Sequence, residues 1–285
     1  MDESVELSDG RTLGYCEYGD PAGKPVLYFH GHPGSRLEWP AFDTRAGAAS
    51  VKARIIAIDR PGHGLSDFQP KRHLLDWPDD VVELARALQL ERFSVLGVSG
   101  GGPYAAACAF KIPHAVVATG IVCGMGPADA PGMKEGLAWR FAAGRNSLLR
   151  RGLLGLMSFA VRRKPEAFTE KIAEGMRGPD QALLRAQPHL AAQMAELCFA
   201  EAFRRGIAGV NHDAMLYARP WGFQLQEITG PVSLWHGDAD DNVPVSVGQH
   251  VADAIPGCTP HFLTGEGHLS LPYKYLPEVI RAILQ

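Results

Sequence analysis

The run Phe93-Ser94-Val95-Leu96-Gly97-Val98 is apolar enough for a strand buried on both faces, and it stops on a serine hemmed by glycines, Gly97-Val98-Ser99-Gly100-Gly101. Small residues suited to a closely packed helix follow at once, Pro103-Tyr104-Ala105-Ala106-Ala107-Cys108-Ala109-Phe110. A strand that turns into a helix this quickly is sharply bent, and Cβ atoms two positions to either side of the bend would meet the neighbouring strand and helix. Gly97 and Gly101 answer that need and leave Ser99 at the tip, as the nucleophile candidate. A strand, turn and helix of this kind belong in a mostly parallel sheet covered by helices.

The rest of the chain keeps the same rhythm. Residues 25–30, 54–59 and 115–122 read as further buried strands, and residues 5–7 and 12–18 as a leading hairpin around Asp9-Gly10. Val81, Leu84, Ala85, Leu88 and Leu90 recur at near-helical spacing. The alternation resumes late, with strands at 231–235 and 260–263, a helix over about 245–254 and a terminal helix reaching Leu284. Between them, residues 126–221 are rich in Ala, Leu, Met, Arg and Glu at helical spacing. The chain therefore divides into a core domain, 1–125 and 222–285, and an inserted helical cap, 126–221. The first half of the insert is basic, with Lys134, Arg140, Arg145, Arg150, Arg151, Arg162, Arg163, Lys164 and Lys171 against Glu135, Glu166 and Glu170. It reads as the solvated outer face of a lid; a membrane-surface or dimer contact through residues 148–161 is the alternative.

Composition narrows the partners. A net charge of −3 over 285 residues lacks the basic footprint of a nucleic-acid binder, so the expected partner is a small molecule. Five cysteines, widely spaced and without a CxxC pair, suggest neither a disulfide framework nor a zinc site. The acidic start Met1-Asp2-Glu3-Ser4 and the absence of a long apolar run predict a cytoplasmic protein without stable membrane insertion, as monomer or homodimer.

A serine hydroxyl attacks a carbonyl only when a base takes its proton and a carboxylate orients the base. Of the eleven histidines, His268 alone sits on a flexible loop after a late strand, Gly265-Glu266-Gly267-His268-Leu269, and is the base candidate. The loop after Trp235 offers Asp238, Asp240 and Asp241 as the acid, and spacing does not choose among them. The oxyanion requires preorganised N–H donors. Gly100 at the helix start supplies one, and His32, in His30-Gly31-His32-Pro33-Gly34-Ser35, the other; its imidazole faces either the substrate or the core, and His30 reads as structural. Arg36 reads as a surface residue, with a substrate carboxylate as the alternative partner. Trp139, Tyr217 and Trp221, with Phe141 and Met215, are the bulky insert residues available to line a substrate pocket; packing within the insert is their competing use.

These motifs together resemble the serine hydrolases of the α/β-hydrolase superfamily that carry an HGxPG oxyanion loop and a helical cap. The resemblance rests on His30 to Gly34, the turn Asp59-Arg60-Pro61-Gly62-His63-Gly64-Leu65-Ser66, the GVSGG elbow, and the order Ser, Asp, His, and it covers essentially the whole chain. It implies a mostly parallel sheet of about eight strands flanked by helices. The family's acid stands in G-x-x-D-x-x-V-P, here Gly237, Asp240, Val243 and Pro244, which selects Asp240 with Asp241 and Asp238 behind it. The turn from Asp59 to Ser66 looks like the family's structural loop. The implied activity is hydrolysis of a carboxylic ester or lactone through an acyl-enzyme on Ser99, with no cofactor and no metal. Carbon–carbon hydrolysis of a diketone, or slow-turnover ligand reception, are the alternatives on the same fold. Epoxide hydrolases and haloalkane dehalogenases differ in carrying aspartate at the elbow, and dienelactone hydrolases carry cysteine. Proline iminopeptidases usually show Trp where Gly100 stands, and the bare Gly100 leaves the elbow open to bulky acyl groups.

Overall fold

Eight strands form one sheet in the order β1-β2-β4-β3-β5-β6-β7-β8. They are β1 (Asp2–Glu6), β2 (Thr12–Gly19), β3 (Lys24–Phe29), β4 (Ala53–Ile58), β5 (Phe93–Val98), β6 (Val116–Val122), β7 (Val232–Gly237) and β8 (Thr259–Leu263). The structure is a computed structural model, and it describes residues 2–43, 47–137, 139 and 147–285. β1 pairs antiparallel with β2, and β2 with β4; every other neighbour is parallel. All residues of β5 and β7 are buried. This explains their unbroken apolar runs, because a parallel strand covered on both faces has no solvent side to alternate with.

Helices cover both faces. α1 (Trp77–Ala87), α2 (Gly102–Lys111) and, nearer the end of the chain, the helix Val245–Ala254 join one core with Leu27, Phe29, Ile56, Val95 and Leu234. The terminal helix Ser270–Ile283 packs on the other core with Val26, Tyr28, Ile55, Leu96 and Val122. α1 begins four residues before the periodicity alone indicates. Pro78 fits its first turn and Asp79 and Asp80 complement the N-terminal dipole there, which extends the helix past its apolar stripe.

Between β6 and β7 the chain runs through α3 (Ser147–Arg163), α4 (Pro165–Gly175), α5 (Gly178–Ala186), α6 (Pro188–Gln193), a π-helical segment (Met194–Ala200) and α7 (Ala208–Tyr217). Leu154, Val161, Ala195, Ala202, Phe203 and Val210 give these helices a small core of their own. The outer face of α3 exposes Leu149, Leu153, Leu156 and Phe159. No helix among the described residues is long and apolar enough to cross a membrane. Arg140, Phe141 and Arg145 lie outside the described residues. The two helices after β7 are α8 (Val245–Ala254) and α9 (Ser270–Ile283).

Candidate active site

Ser99 closes β5 with φ at +51°, in the left-handed region. That conformation is costly for a residue with a Cβ and persists only where surrounding structure fixes it. Here the fixing comes from close backbone contact. A Cβ on Gly97 would stand 2.3 Å from the Gly101 carbonyl oxygen, and one on Gly101 would stand 2.0 Å from that of Phe29. The two flanking glycines are therefore obligatory, for the steric reason the sequence suggests.

His268 reaches the elbow from the loop between β8 and α9. Its Nε2 is 2.9 Å from Ser99 Oγ, and its Nδ1 is 2.8 Å from Asp240 Oδ2. An ionised carboxylate only accepts, so Nδ1 carries the hydrogen and Nε2 presents a lone pair to the serine. Burial alone would lower the imidazole, but the Asp240 charge and its hydrogen bond outweigh that and hold His268 above its ordinary value. Burial likewise opposes ionisation of Asp240; the His268 interaction and the N–H of Val243 overcome it and hold the carboxyl below the usual range. Asp240 Oδ1 accepts the main-chain N–H groups of Asn242 at 2.9 Å and Val243 at 2.8 Å, fixing the carboxylate plane. Asp238 is exposed and accepts the Gly265 N–H at 2.7 Å, bracing the loop that carries His268. Asp241 is exposed.

His32 and Gly100 stand side by side. A Cβ on Gly100 would lie 2.6 Å from the Cβ of His32 and 2.7 Å from Tyr217 Oη. The bare Gly100 thus makes room for protein and not for a bulky acyl group, a correction to the expectation from sequence. His30 is buried; its Nε2 accepts the Arg60 N–H at 3.2 Å, and its Nδ1 donates to the Gly31 carbonyl at 2.8 Å. Burial, aided by the Arg60 charge, pushes its imidazole well down. Burial also lowers His32, to about 4.

A cavity of about 210 Å³ opens over Ser99. Phe42, Val98, Met125, Met157, Met194 and Phe199 are among its apolar lining, and His32, Glu38, Asn242 and His268 bring polar atoms to it. None of Trp139, Tyr217 and Trp221 lines this cavity. Trp139 and Trp221 border a separate surface depression with Phe223 and Gln224. Tyr217 is buried behind the elbow, its hydroxyl donating to the Gly100 carbonyl at 3.0 Å and its ring edge-on to His32 at 5.2 Å. The insert contributes Met157, Met176, Met194 and Phe199 to the wall of the cavity. Arg36 is fully buried and bound to Asp59 at 2.8 Å, Glu201 at 2.6 Å and Asp2 at 2.7 Å, so it is neither a surface residue nor a substrate partner. Asp59 also accepts the N–H groups of Arg36 and Leu65, at 2.7 and 2.8 Å. That network holds the 59–66 turn.

Two insert carboxylates reach the site without a sequence signal of their role. Asp213 of α7 lies between Arg60 and Arg72, bonding Arg60 Nε at 2.7 Å, the Arg72 guanidinium, and the Tyr104 hydroxyl at 2.7 Å. Arg60 in turn donates to the carbonyls of His30 and Gly31, which fixes the start of the His32 loop. Asp180 of α5 accepts the main-chain N–H groups of His268, Leu269 and Ser270 at 2.9, 3.0 and 3.0 Å. His32, His63 and Asp213 converge closely enough to suggest a metal site, but the cationic Arg60 and Arg72 already neutralise that carboxylate. The other such group, Cys123, Asp240 and His268, uses the acid and base of the site and a thiol that burial pushes well up.

The family model described as the alpha/beta hydrolase family matches residues 26–280. The chain belongs to the alpha/beta hydrolase family. A non-heme chloroperoxidase of Streptomyces lividans is 37% identical over 100 residues, 35% of this chain and 36% of that protein. The chain thus aligns with about a third of the length of this relative. Among solved structures, a thermophilic esterase from Thermogutta terrifontis superposes with TM-score 0.71 at 22% identity, covering 100% of this chain and 98% of the other. A bromoperoxidase from Bacillus anthracis superposes with TM-score 0.73 at 19% identity, covering 100% and 99%. At such identities the structural likeness shows the hydrolase fold, and the chemistry rests on the site itself.

Proposed function

We propose that this alpha/beta hydrolase is a serine hydrolase that cleaves the ester or lactone bond of a small molecule through an acyl-enzyme on Ser99. The observation that carries this reading is the unbroken chain from Ser99 Oγ through His268 to Asp240, at 2.9 and 2.8 Å. His268 Nε2 takes the hydroxyl proton as Oγ bonds to the carbonyl carbon, and the ionised Asp240 stabilises the imidazolium. The N–H groups of His32 and Gly100 receive the developing oxyanion; each such donor contributes about 2.7–4 kcal/mol to the transition state. Collapse expels the alkoxide, which takes the proton from His268. Water then repeats the sequence on the acyl-enzyme, releasing the acid and restoring the serine.

The mostly apolar lining of the cavity supports a small acyl group. Residues 126–221 serve as the cap over a core of 1–125 and 222–285, excluding water while the acyl-enzyme stands. No step calls on a metal or cofactor. Turnover of short p-nitrophenyl esters tests the reading, with Ser99→Ala expected to lower kcat by on the order of 10⁴ or more. Wild-type rates in that variant would contradict it, as would turnover of diketones in place of esters.

A further inference from the structure

Glu38 stands in the same cavity as Ser99 and has no part in the mechanism above. It ends a single 3₁₀ turn, Arg36–Glu38, and is 5% exposed. Glu38 Oε2 and Ser99 Cβ both stand close to Gly31: a Cβ there would lie 3.2 Å from the first and 3.7 Å from the second. The acid therefore borders the place where an acyl chain must extend from Oγ.

Its two oxygens are not equivalent. Oε1 accepts the Tyr28 hydroxyl at 2.6 Å and the Gly31 N–H at 2.8 Å, whereas Oε2 makes no hydrogen bond with a described residue. The buried carboxylates Asp59, Asp213 and Asp240 each pair with a guanidinium or an imidazole. Glu38 forms no ion pair among the described residues. An unpaired carboxylate in an apolar cavity is costly, and the group responds by keeping its proton. Burial accordingly pushes Glu38 up, against the opposing pull of the Tyr28 and Gly31 hydrogen bonds and of the Arg60 and His268 charges. Oε1 already accepts twice, so a proton held by this carboxyl stands on Oε2.

We propose that Glu38 is a substrate-binding residue that donates a hydrogen bond from Oε2 to an oxygen in the acyl chain. The favoured substrates are then esters with an ether or keto oxygen close to the scissile carbonyl, in preference to their all-carbon counterparts. The inference rests on the reading that Ser99 is acylated.

p-Nitrophenyl butyrate and p-nitrophenyl methoxyacetate test it, because they differ only by an oxygen in place of a methylene. Their kcat/KM ratio, divided by the ratio for alkaline hydrolysis, removes the intrinsic reactivity of the ether ester. The wild type should favour methoxyacetate about tenfold after that correction, the effect of one net hydrogen bond. Glu38→Gln retains a donor of the same shape and should keep the preference within about twofold; Glu38→Met should abolish it. Parity in the wild type, loss of the preference in Glu38→Gln, or an equal fall for both esters in Glu38→Met would overturn the inference. So would a preference for the glycine ester, whose ammonium would select an ionised Glu38. Parity with Ser99 still labelled by a fluorophosphonate overturns this inference alone, whereas an unlabelled Ser99 overturns the acyl-enzyme reading together with it.

Discussion

Asp180, carried by a helix of the insert, accepts the main-chain N–H of His268 at 2.9 Å and, through its other oxygen, those of Leu269 and Ser270 at 3.0 Å each. The fit leaves no spare room: a Cβ on Gly267 would stand 2.4 Å from the Asp180 carboxylate. His268 is thereby positioned from the insert as well as from the sheet.

Removing that acceptor strands three buried donors. Each buried unsatisfied group costs about 1–3 kcal/mol, so Asp180→Ala should lower stability by on the order of 3 kcal/mol or more in urea unfolding. Asp180→Asn keeps one acceptor and should fall between. The Asp180 charge also raises the His268 imidazole, so the acid limb of the kcat/KM profile should move to lower pH in both variants. An unmoved limb would argue that Asp180 is structural only.

The oxyanion loop has a matching tie. Asp213 holds Arg60, and Arg60 holds the His30 and Gly31 carbonyls. Arg72 shares the same carboxylate. Asp213→Ala leaves two buried guanidinium groups without their counter-ion and should cost about 3–5 kcal/mol, read from denaturant unfolding. A loss under 1 kcal/mol would show that the cluster is hydrated.

The pH profile follows from the site's charge pair. His268 must be neutral to accept the serine proton, and Asp240 holds its imidazole above the ordinary value of 6.5. The rate should therefore rise with pH through a midpoint above 6.5 in kcat/KM. Asp240→Asn removes the charge, leaves burial in command and should shift that midpoint down, with kcat falling by on the order of 10⁴. Asp238→Asn and Asp241→Asn, at exposed positions, should lose far less.

Gly100→Ala tests the neighbour relation at the elbow. Its Cβ would meet His32 Cβ at 2.6 Å and Tyr217 Oη at 2.7 Å, displacing the loop that carries one oxyanion donor. A fall in kcat of roughly 10²–10³, the effect of one lost donor, is expected, with KM little changed. Unchanged kcat would place the oxyanion elsewhere.

The sheet, Ser99 and His268 were legible because each rests on local sequence, whereas only the family resemblance separates Asp240 from Asp238 and Asp241. β5 and β7 are apolar runs of strand length, the elbow glycines flank the serine by necessity, and His268 sits on a glycine-rich loop. Arg36, Asp180 and Asp213 were not legible in their roles. Their partners lie far along the chain, 165 residues from Arg36 to Glu201 and 88 from Asp180 to His268, and no local periodicity records a pairing across the insert. The cavity wall is not legible for a related reason. Trp139, Tyr217 and Trp221 have the size to line a pocket, but large rings pack most of their area against protein, and the wall over Ser99 includes methionine and phenylalanine side chains.

Covalent capture of the nucleophile is the most direct measurement. Folded protein incubated with a fluorophosphonate probe, digested and sequenced by mass spectrometry, should carry the label on Ser99, and His268→Ala should slow that labelling severely. Absence of label on Ser99 in folded protein, or label on another serine at an equal rate, would contradict an acyl-enzyme at this elbow.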